Sequence, residues 1–499
     1  MSSWNLFARH SPAVKTIAPT FIAPRLTKRF IAMQLINERK EVLQGTKSTS
    51  APAQDVSSLK INGRRLMSSL HESCEFGKAH RYGTHQTETG MARLALNDAD
   101  KAVRQWFVQE AKSLGCKTTV DQMGNIFAVR PGKNSTAPPV MMGSHLDTQP
   151  TGGRYDGILG VLSGLEVLRT LHENDYQSEG SIGVVNWTNE EGARFPIITV
   201  SSGVWSGAVS LETAWTCQEV TPSPDGHKYT MKEELERIGF LGSTPASYEA
   251  QPIAAHFELH IEQGPILEDE RRRIGVVTGG QAYKWFEVVV RGRDSHAGTT
   301  PMAARKDSVL AAAKMIVESN KIAKAHSGLI TTGLVETDPG SINTMAHTVR
   351  FTIDMRHPSD GVLAEIEKEC RKIFSSIAAE ESERGVSLEW KQLAANPAVK
   401  FHPDCITMIE EAAEETVAEL PKSADDGKLW KHMVSGAGHD SFHTSRTCPT
   451  GMIFTPTREG LSHTPTEYCS PEDCALGAQV LLGAVLRYDR LRLERGMLA

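Results

Sequence analysis

The feature that most constrains the fold is a long apolar segment, of helix length, that lies between two short apolar runs. The short runs are PPVMMGSH (138–145) and SIGVVNWTNEE (181–191), and the long segment is GILGVLSGLEVLRTLHEN (157–174). A strand, a helix and a second strand in this order form a βαβ unit, whose two strands are parallel. The sequence therefore predicts an α/β fold, with a mostly parallel sheet and helices on both faces.

A different order of elements interrupts this pattern. Between 282 and 397 the apolar spacing indicates strand, helix, strand, strand, helix, strand, which is the order of a ferredoxin-like unit. After Pro397 the α/β pattern resumes, and it ends in a helix with Ser470 as N-cap and Pro471 at the first helical position. We therefore predict four segments: an N-terminal extension (1–58), the first part of the main domain (59–281), an inserted ferredoxin-like domain (282–397) and the second part of the main domain (398–499).

Composition argues against two kinds of partner. The chain has 499 residues and a formal net charge of −6, which disfavours nucleic acid or an anionic membrane as the main partner. No run of 18 apolar residues predicts a membrane span. The 8 cysteines include no CxxC pair, so we expect free thiols in a reducing compartment.

The first 37 residues differ in composition from the rest. They are basic, contain several Ser and Thr, and lack any acidic residue before Glu38. This composition is typical of a mitochondrial transit peptide. The alternative is a disordered tail without a targeting role, and Met33 is a possible alternative start. The predicted location is therefore mitochondrial or cytoplasmic.

Polar residues follow several of the predicted strands, where ligands bind in open α/β sheets. The stretch GSHLDTQPTGGRYDG (143–157) supplies a histidine and two aspartates, and three later stretches supply further candidates. The candidate metal-binding or catalytic residues are His145, Asp156, Glu190, Glu191, His260 and His463. Imidazole and carboxylate ligands suit zinc or manganese.

The spacing suggests a division of roles among these residues. Two metals close together need a bridging carboxylate, and Asp156 is our candidate. His145 and His260 would complete one metal site, and Glu191 and His463 the other. Asp147 is positioned to accept the ring proton of His145, and Glu190 is free to act as a general base.

Each stretch alone also has a simpler explanation. A histidine and an aspartate after an apolar run are often structural, and NEEG is often a solvated turn. ELHIEQ alternates polar and apolar residues, which fits a half-buried strand that exposes Glu258, His260 and Glu262 on one face. His439 and Asp440, in the loop GAGHDS, have either a supporting role near the metals or a role in stabilising the loop.

Six stretches in order resemble one family: GSHLDTQPTGGRYDGILGVL, TNEEGARF, LHIEQGPILE, RDSHAGTTPM, SINTM and SHTPTEY. They resemble the dinuclear-metal amidohydrolases, which include N-carbamoyl-L-amino-acid hydrolases, β-ureidopropionases (β-alanine synthases) and allantoate amidohydrolases. These enzymes are related to the di-zinc aminopeptidases. The resemblance extends from about Ile61 to Leu491.

The resemblance implies the same five ligands and Glu190 as the base, with two divalent metal ions per subunit. It implies that His296 stabilises an oxyanion, commonly in the partner subunit's active site. Gln263, Asn343 and Arg356 resemble substrate-binding residues, with Arg356 the clamp for a substrate carboxylate. The inserted domain resembles a dimerisation domain, so a homodimer is expected.

The implied activity is hydrolysis of the ureido C–N bond of an N-carbamoyl amino acid, giving the amino acid, carbon dioxide and ammonia. The product is either β-alanine or an L-α-amino acid. The sequence does not choose between the two, because the choice depends on about one methylene of pocket length. Two alternatives remain: an allantoate amidohydrolase, and a metal-dependent exopeptidase.

Overall fold

The structure is a computed structural model that describes residues 58–223, 226–380, 384–421 and 428–498. The predicted N-terminal extension, apart from Ser58, lies outside the described residues, and so does the predicted transit peptide. All eight cysteines are described and are free thiols, as expected. Within the described ranges, no helix combines the length and apolar character needed to cross a membrane.

The elements alternate along the chain much as predicted. The strands are β1 Lys78–Arg81, β2 Thr89–Met91, β3 Lys117–Val120, β4 Ile126–Arg130, β5 Val140–His145, β6 Ile182–Trp187, β7 Ala255–Ile261, β8 Ile274–Gly280, β9 Ala282–Arg291, β10 Ser295–His296, β11 Leu329–Thr331, β12 Val335–Asp338, β13 Thr344–Met345, β14 Thr348–His357, β15 Ser387–Asn396, β16 Val399–Lys400, β17 Trp430–Ser435 and β18 Thr450–Thr455. The α-helices are α1 Gly63–Ser73, α2 Asp98–Ser113, α3 Ile158–Glu173, α4 Val200–Trp205, α5 Leu211–Trp215, α6 Met231–Ile238, α7 Ile266–Asp269, α8 Ser308–Ala325, α9 Asp360–Glu380, α10 Pro403–Ala418, α11 Asp440–Thr444 and α12 Pro471–Glu494, and two 3-10 turns occur at Met302–Ala304 and Arg458–Gly460.

A nine-stranded sheet forms the main α/β domain. Its order is β16-β8-β18-β7-β5-β6-β4-β3, and β17 pairs with β8. The four central strands β18, β7, β5 and β6 are mutually parallel, as the βαβ pattern predicts. Antiparallel pairs occur on both flanks, where β8 pairs with β18 and β4 pairs with β6. The prediction of a parallel sheet is therefore confirmed for the centre that carries the candidate site.

The central strands are buried on both faces. On β5, Val140 and Met142 belong to the core formed with helices α3 and α12, whereas Met141 packs on the opposite face. That second face holds the cluster of Trp187 and Trp205, whose rings lie 5.4 Å apart. Alternate residues of a strand point to opposite faces, so a continuously apolar strand requires cover on both sides.

Strand β7 contradicts the alternative that ELHIEQ is a half-buried strand with one exposed polar face. All seven residues from Ala255 to Ile261 are buried, so Glu258 and His260 do not face solvent. Glu258 accepts hydrogen bonds from the hydroxyls of Ser144 at 2.7 Å and Ser441 at 2.6 Å. The polar alternation in this strand reflects buried polar contacts, which sequence periodicity cannot distinguish from exposure.

The inserted segment forms a separate five-stranded antiparallel sheet, which we call the lid sheet. Its order is β11-β14-β9-β15, with β12 also paired to β14. Helices α8 and α9 cover one face, around a core that includes Phe286, Phe351 and Phe374. The order of elements matches the predicted β-α-β-β-α-β, except that the strand predicted for GLITTGLVET is divided into β11 and β12. A small additional sheet pairs β10 with β13.

Several of the strands were not predicted, and β16 and β17 are two of them. β16 and β17 both pair with β8 at one edge of the large sheet. The segment Trp430–Ser435 contains Lys431 and His432, whose side chains form ion pairs with Glu270 and Glu410. Polar residues are common on edge strands, so this segment lacks the apolar signal of the central strands.

Candidate metal centre

Adjacent strands of the central sheet end at one edge, and four of the candidate residues lie there. His145 is the last residue of β5, and His260 lies one residue before the end of its neighbour β7. Glu190 and Glu191 follow β6, the other neighbour of β5. Parallel strands present their carboxyl ends to a common crevice, so strand pairing brings these side chains together.

The remaining two residues come from loops. Asp156 precedes helix α3, next to Gly157, whose φ is +67°. A Cβ at position 157 would lie 2.3 Å from the ring of His145, so only glycine lets the imidazole approach the chain this closely. His463 follows strand β18 and itself has a positive φ of 57°.

The two carboxylate oxygens of Asp156 face two different sets of side chains. Oδ1 lies 3.1 Å from Nε2 of His260 and 3.5 Å from Nε2 of His145. Oδ2 lies 3.4 Å from Nε2 of His463, and the same nitrogen lies 3.4 Å from Oε2 of Glu191. In each set the possible ligand atoms lie within 4.8 Å of one another. The grouping is the one predicted from the sequence, with Asp156 common to both sets.

The donor atoms fit a pair of divalent cations. Nε2 of His145 is buried and has no hydrogen-bond partner among the described residues. Buried polar atoms normally have a partner, so this nitrogen is arranged for a ligand of another kind. Its neighbours Asp156 and Glu190 contribute negative charge. Histidine with carboxylate suits zinc and also manganese.

Main-chain carbonyl groups orient the imidazoles of the candidate ligands His145 and His260. Nδ1 of His145 lies 2.9 Å from the carbonyl oxygen of Asp147, and Nδ1 of His260 lies 2.8 Å from that of the next residue. The carboxylate of Asp147 is 3.9 Å from the His145 ring, so the prediction that it accepts the ring proton is wrong. It accepts the main-chain N–H groups of Glu190 and Glu191, each at 3.3 Å. Asp147 therefore fixes the turn that carries both glutamates.

Glu190 is a buried carboxyl group beside the two sets. Its Oε2 lies 3.5 Å from Nε2 of His145. Burial raises the pKa of Glu190 well above its usual value, and burial together with Asp156 raises the pKa of Glu191 to about 7. For Asp156 burial acts in the same direction, but contacts with His145 and His260 outweigh it and hold the pKa well below its usual value. Glu190, as a carboxyl group with a raised pKa at this position, can take a proton from a neighbouring molecule and later return it.

Gln149, Ser462 and Glu467, which sequence analysis did not select, contact the candidate ligands Glu191 or Asp156. Gln149 donates to Glu191 from its main-chain N at 3.1 Å and from its side-chain amide at 2.8 Å. Glu467 accepts the N–H of Asp156 at 3.1 Å and the hydroxyl of Ser462 at 2.9 Å. Burial raises the pKa of Glu467 to about 7. In the sequence, these residues are marked only by lying near a candidate ligand along the chain. No periodic pattern distinguishes them from other loop residues.

Gln263, a predicted substrate-binding residue, contacts the shared aspartate. Its side-chain nitrogen lies 2.8 Å from Oδ2 of Asp156 and 3.2 Å from the hydroxyl of Ser462. Its Oε1 is buried and has no partner among the described residues, and the side chain lines the pocket. This oxygen is therefore available to an N–H group of a ligand, and the substrate-binding role remains a prediction.

His439 and Asp440, whose role the sequence left open, have different contacts. The ring of His439 packs edge-on against that of His260, with centroids 4.6 Å apart and an interplanar angle of 62°, and it lines the pocket. Burial lowers the pKa of His439 to about 3, which favours the neutral ring. Asp440 accepts from the hydroxyl of Ser202 on α4 and is fully buried. His439 thus supports a candidate ligand, and Asp440 connects the loop to the second face of the sheet.

Two adjoining cavities open at this edge. The first, of about 220 Å³, is the metal pocket and includes Asp156, Glu190, Glu191, His260 and His463 in its lining. The second, of about 290 Å³, is the side cavity and lies between the lid sheet and the main domain. Both are lined by Ile198, Ala437, Gly438 and His439, so they share a wall.

Arg356 lines the side cavity rather than the metal pocket. Its guanidinium donates to both carboxylate oxygens of Asp354, with the shortest contact at 2.7 Å. It also donates to the carbonyl oxygen of Gly436, in the main domain, at 2.9 Å. Tyr283 lies beneath the guanidinium at 5.7 Å from the ring centroid. The predicted clamp is therefore already held in place by protein groups.

His296 and Asn343 lie elsewhere in a single chain. His296 lies on β10 and Asn343 directly precedes β13, and the main-chain oxygen of Asn343 accepts from the N–H of Ala297 at 2.9 Å. Both side chains are exposed, and neither lines the metal pocket or the side cavity. The fold of one chain thus gathers the five predicted ligands and Glu190 but leaves these two residues apart.

An α/β sheet whose carboxyl edge carries two histidine–carboxylate sets with a common aspartate defines a metal-dependent hydrolase. Residues 141–487 match the model of the peptidase family M20/M25/M40. The chain therefore belongs to this family. The resemblance inferred from the six sequence stretches is confirmed.

Similar proteins extend over most of the chain. An N-carbamoyl-L-amino-acid amidohydrolase from Rhizobium meliloti is 38% identical over 433 residues, which cover 86% of this chain and 96% of the relative. An allantoate amidohydrolase from Bacillus subtilis is 31% identical, over 80% of this chain and 93% of the relative. The crystal structure of an amidase of the hydantoinase/carbamoylase family from Burkholderia multivorans superposes with a TM-score of 0.77 at 42% identity, over 86% of this chain and 98% of that chain. The relatives are thus hydrolases that act on C–N bonds other than peptide bonds, and the chain is such an enzyme.

Proposed function

We propose that this enzyme hydrolyses the ureido C–N bond of an N-carbamoyl amino acid, giving the amino acid, carbon dioxide and ammonia. The observation that carries the proposal is the position of Asp156. Its two carboxylate oxygens face two sets of side chains, each containing a histidine, beside the buried Glu190. The relative from Rhizobium meliloti, named for this activity, supports it.

We propose His145, Asp156 and His260 as ligands of one cation, and Asp156, Glu191 and His463 as ligands of the other. Zinc and manganese both fit these donors. When bound, such cations polarise a carbonyl group and make water a stronger acid.

Glu190 moves the proton in this proposal. Its carboxylate takes a proton from the attacking water and returns it to the leaving nitrogen as the C–N bond breaks. Ammonia leaves, and the remaining carbamate loses carbon dioxide to give the amino acid. The burial that raises the pKa of Glu190 assists the second half of this cycle, because the carboxyl group must hold the proton until the nitrogen accepts it.

Arg356 binds the substrate carboxylate from the side cavity. A guanidinium has five N–H groups, and the contacts with Asp354 and Gly436 leave some of them free. These contacts hold the guanidinium plane in a fixed direction, so binding of a planar carboxylate requires little further ordering. Gln263 offers its free Oε1 to a ureido N–H.

His296 and Asn343 act in the partner subunit's site in this proposal, and the enzyme is a homodimer. Their exposure in one chain fits such a role, since an oxyanion donor must reach reacting atoms. The lid also exposes large apolar side chains: Val309, Leu310 and Val317 on α8, Leu329 and Val335 on edge strands, and Ile342 beside Asn343. Exposed apolar patches of this kind mark interaction surfaces. Sedimentation equilibrium measures the mass directly, and a monomer at micromolar concentration contradicts the proposal.

Allantoate is the second candidate substrate, because a relative at 31% identity is named allantoate amidohydrolase. An ammonia-release assay with N-carbamoyl-β-alanine, several N-carbamoyl-L-amino acids and allantoate decides between them, with zinc and manganese compared for each. A dipeptide tests the exopeptidase alternative. Release of ammonia from none of the ureido compounds, with a pair of metals bound, contradicts the proposed function.

For location we propose that residues 1–37 are a mitochondrial targeting segment. The support is their basic, acid-free composition. A fluorescent protein fused behind residues 1–37 is expected in mitochondria, and the same fusion with Arg25, Lys28 and Arg29 replaced by glutamine is expected in the cytosol. Cytosolic fluorescence from both fusions contradicts this assignment.

A further inference from the structure

A fully buried arginine outside the metal pocket contacts the loop that joins two of the candidate ligands. Arg93 follows strand β2, and its side chain is excluded from solvent. The guanidinium donates from Nε to the carbonyl oxygen of Leu146 at 2.7 Å, and from Nη1 to those of Ser73 and Phe76 at 3.1 and 2.8 Å. The first acceptor begins the loop 146–155, which we call the metal loop, and the other two lie at and just after the end of α1. The side chain therefore connects the end of a helix to the metal loop.

The main chain of Arg93 holds the same loop at a second point. Its N–H donates to the hydroxyl oxygen of Thr148 at 2.9 Å, and its carbonyl oxygen accepts the N–H of Thr148 at 2.8 Å. Leu146 and Thr148 are the two neighbours of Asp147 along the chain. A single residue from another segment thus holds the loop immediately before and immediately after Asp147.

Backbone contacts place Arg93 between α1 and the metal loop. Met91, two residues earlier, exchanges main-chain hydrogen bonds with Gly152 of the metal loop at 2.8 and 3.0 Å. On the side of α1, a Cβ at Gly77, whose φ is +97°, would lie 2.9 Å from Cβ of Arg93, so the chain passes directly against this residue. These contacts do not involve the guanidinium, so they remain when the side chain is changed.

Asp147 transmits this constraint to the candidate metal ligands. Its carbonyl oxygen lies 2.9 Å from Nδ1 of His145, and its carboxylate accepts the N–H groups of the two glutamates that follow β6, each at 3.3 Å. The carbonyl group of Leu146 belongs to the peptide plane that leads into Asp147, and a peptide plane is rigid. The direction in which Arg93 holds that carbonyl group therefore sets the orientation of Asp147.

We infer that Arg93 is a positioning residue of the metal centre. It orients Asp147, and through Asp147 it orients the ring of His145 and the turn that carries the two glutamates. The inference rests on the proposed function, because it concerns how this chain holds the two cations proposed there. Arg93 does not line the metal pocket, so it acts only through its contacts with the metal loop.

The competing explanation is that Arg93 only terminates α1. Carbonyl groups at the C-terminus of a helix lack intrahelical partners and attract a cation, and two of the three acceptors lie there. However, all three acceptors that the described residues offer are neutral carbonyl groups, and Nη2 is buried without a partner among these residues. Because a buried charge without an opposite charge in contact costs stability, helix termination alone favours a neutral residue. The shortest of the three bonds goes to Leu146, which termination of α1 does not require.

The test is the zinc affinity of Arg93→Lys, measured by competition with a chelator at a temperature well below the melting temperature. Lysine keeps the positive charge but lacks the planar fork, so it cannot hold Leu146 and the end of α1 together. We expect the zinc dissociation constant to rise about 10- to 100-fold, the range for residues that orient metal ligands. With both metal sites saturated, kcat should fall while KM stays unchanged, because Arg93 lines neither cavity.

Arg492→Lys is the matched control. Arg492 is also fully buried and donates to the main-chain oxygen of Pro138 at 2.8 Å, near the opposite end of strand β5 from His145. This variant is expected to have a lower melting temperature but the zinc affinity of the wild type. An equal loss of zinc affinity in both lysine variants overturns the inference, and so does an unchanged affinity in Arg93→Lys.

Thr148→Val provides a second measurement. It removes the hydroxyl group that accepts the N–H of Arg93 and leaves the guanidinium in place, and weaker zinc binding is expected again. If Arg93→Lys does not fold, wild-type zinc affinity in Thr148→Val overturns the inference. A wild-type enzyme that binds fewer than two ions per chain, or that releases no ammonia from any ureido compound, contradicts the proposed function instead, so the two failures are distinguishable.

Discussion

The metal pocket and the small sheet of β10 and β13 differ in how firmly they hold their functional side chains. In the pocket, four candidate residues lie at the ends of three paired strands, and Asp156 has contacts on both of its oxygens. In the small sheet, His296 and Asn343 lie on or next to strands of two residues, and both side chains are exposed.

In the proposed homodimer, this difference corresponds to two ways of assembling one active site. The pocket is preorganised within a single chain: Gln149 donates to the carboxylate of Glu191, Asp147 accepts the N–H of Glu191, and Glu467 accepts the N–H of Asp156. At the small sheet, the exposed side chains of His296 and Asn343 become enclosed only when another surface packs against them. Variants in the pocket should therefore act within each chain, and variants in the small sheet should act between chains.

The largest effect is expected for Glu190→Gln. The amide cannot accept the proton of water, so kcat should fall by about 10²- to 10⁴-fold, the usual contribution of general acid–base catalysis. The amide keeps the size of the side chain, and metal analysis should still find about two ions per chain. Retained activity would remove Glu190 as the base, and loss of metal would make it a ligand.

His296→Ala should lower kcat by about 10²- to 10³-fold, the cost of removing one oxyanion donor. The sharper measurement mixes chains. Co-expression of Glu190→Gln and His296→Ala chains with different tags, followed by isolation of the mixed dimer, should recover about half of wild-type activity, because one of its two sites is complete. Absence of recovery would mean that His296 acts in its own chain, and full activity of the His296→Ala enzyme would mean that it does not act at all.

Glu467→Gln should weaken metal binding by about 10- to 100-fold, the range for residues that orient ligands. Oε1 of Glu467 accepts the N–H groups of Tyr155 and Asp156, and Oε2 accepts the hydroxyl of Ser462, whereas an amide accepts with one oxygen only and loses one of these two sets of contacts. Loss of metal to a chelator measures the effect. Glu472→Gln, at an exposed position at the start of α12, is the control, and equal loss in both variants would contradict the role of Glu467.

The smallest effect is expected for Arg356→Lys. An ammonium group keeps the charge but loses the planar fork, so KM should rise by about 10-fold while kcat changes little. Arg350→Lys is the control, because Arg350 lies on the same strand β14 and pairs with Glu287 and Glu336, away from both cavities. Equal KM values for the two variants would show that Arg356 does not bind the substrate carboxylate.

The sequence alone predicted the central βαβ unit, the order of the inserted elements, and the set of side chains that the structure brings together. These predictions succeeded because they depend on local properties. The apolar spacing of β5, α3 and β6 fixes the element type, and parallel strands share a carboxyl edge. The cap at Ser470 follows in the same way, since its hydroxyl accepts the N–H of Asp473 at 3.0 Å.

Tertiary structure decided what lies around those side chains. The sequence shows that Asp147 follows His145 by two residues, but only the folded loop determines that the carbonyl oxygen, and not the carboxylate, faces the ring. It also brings Glu467 to Asp156 across 311 residues of chain. Such contacts depend on the directions of loops that no periodicity encodes. The side cavity is of this kind as well, because its walls come from the lid sheet and from the main sheet with its helices, and it exists only where these surfaces meet.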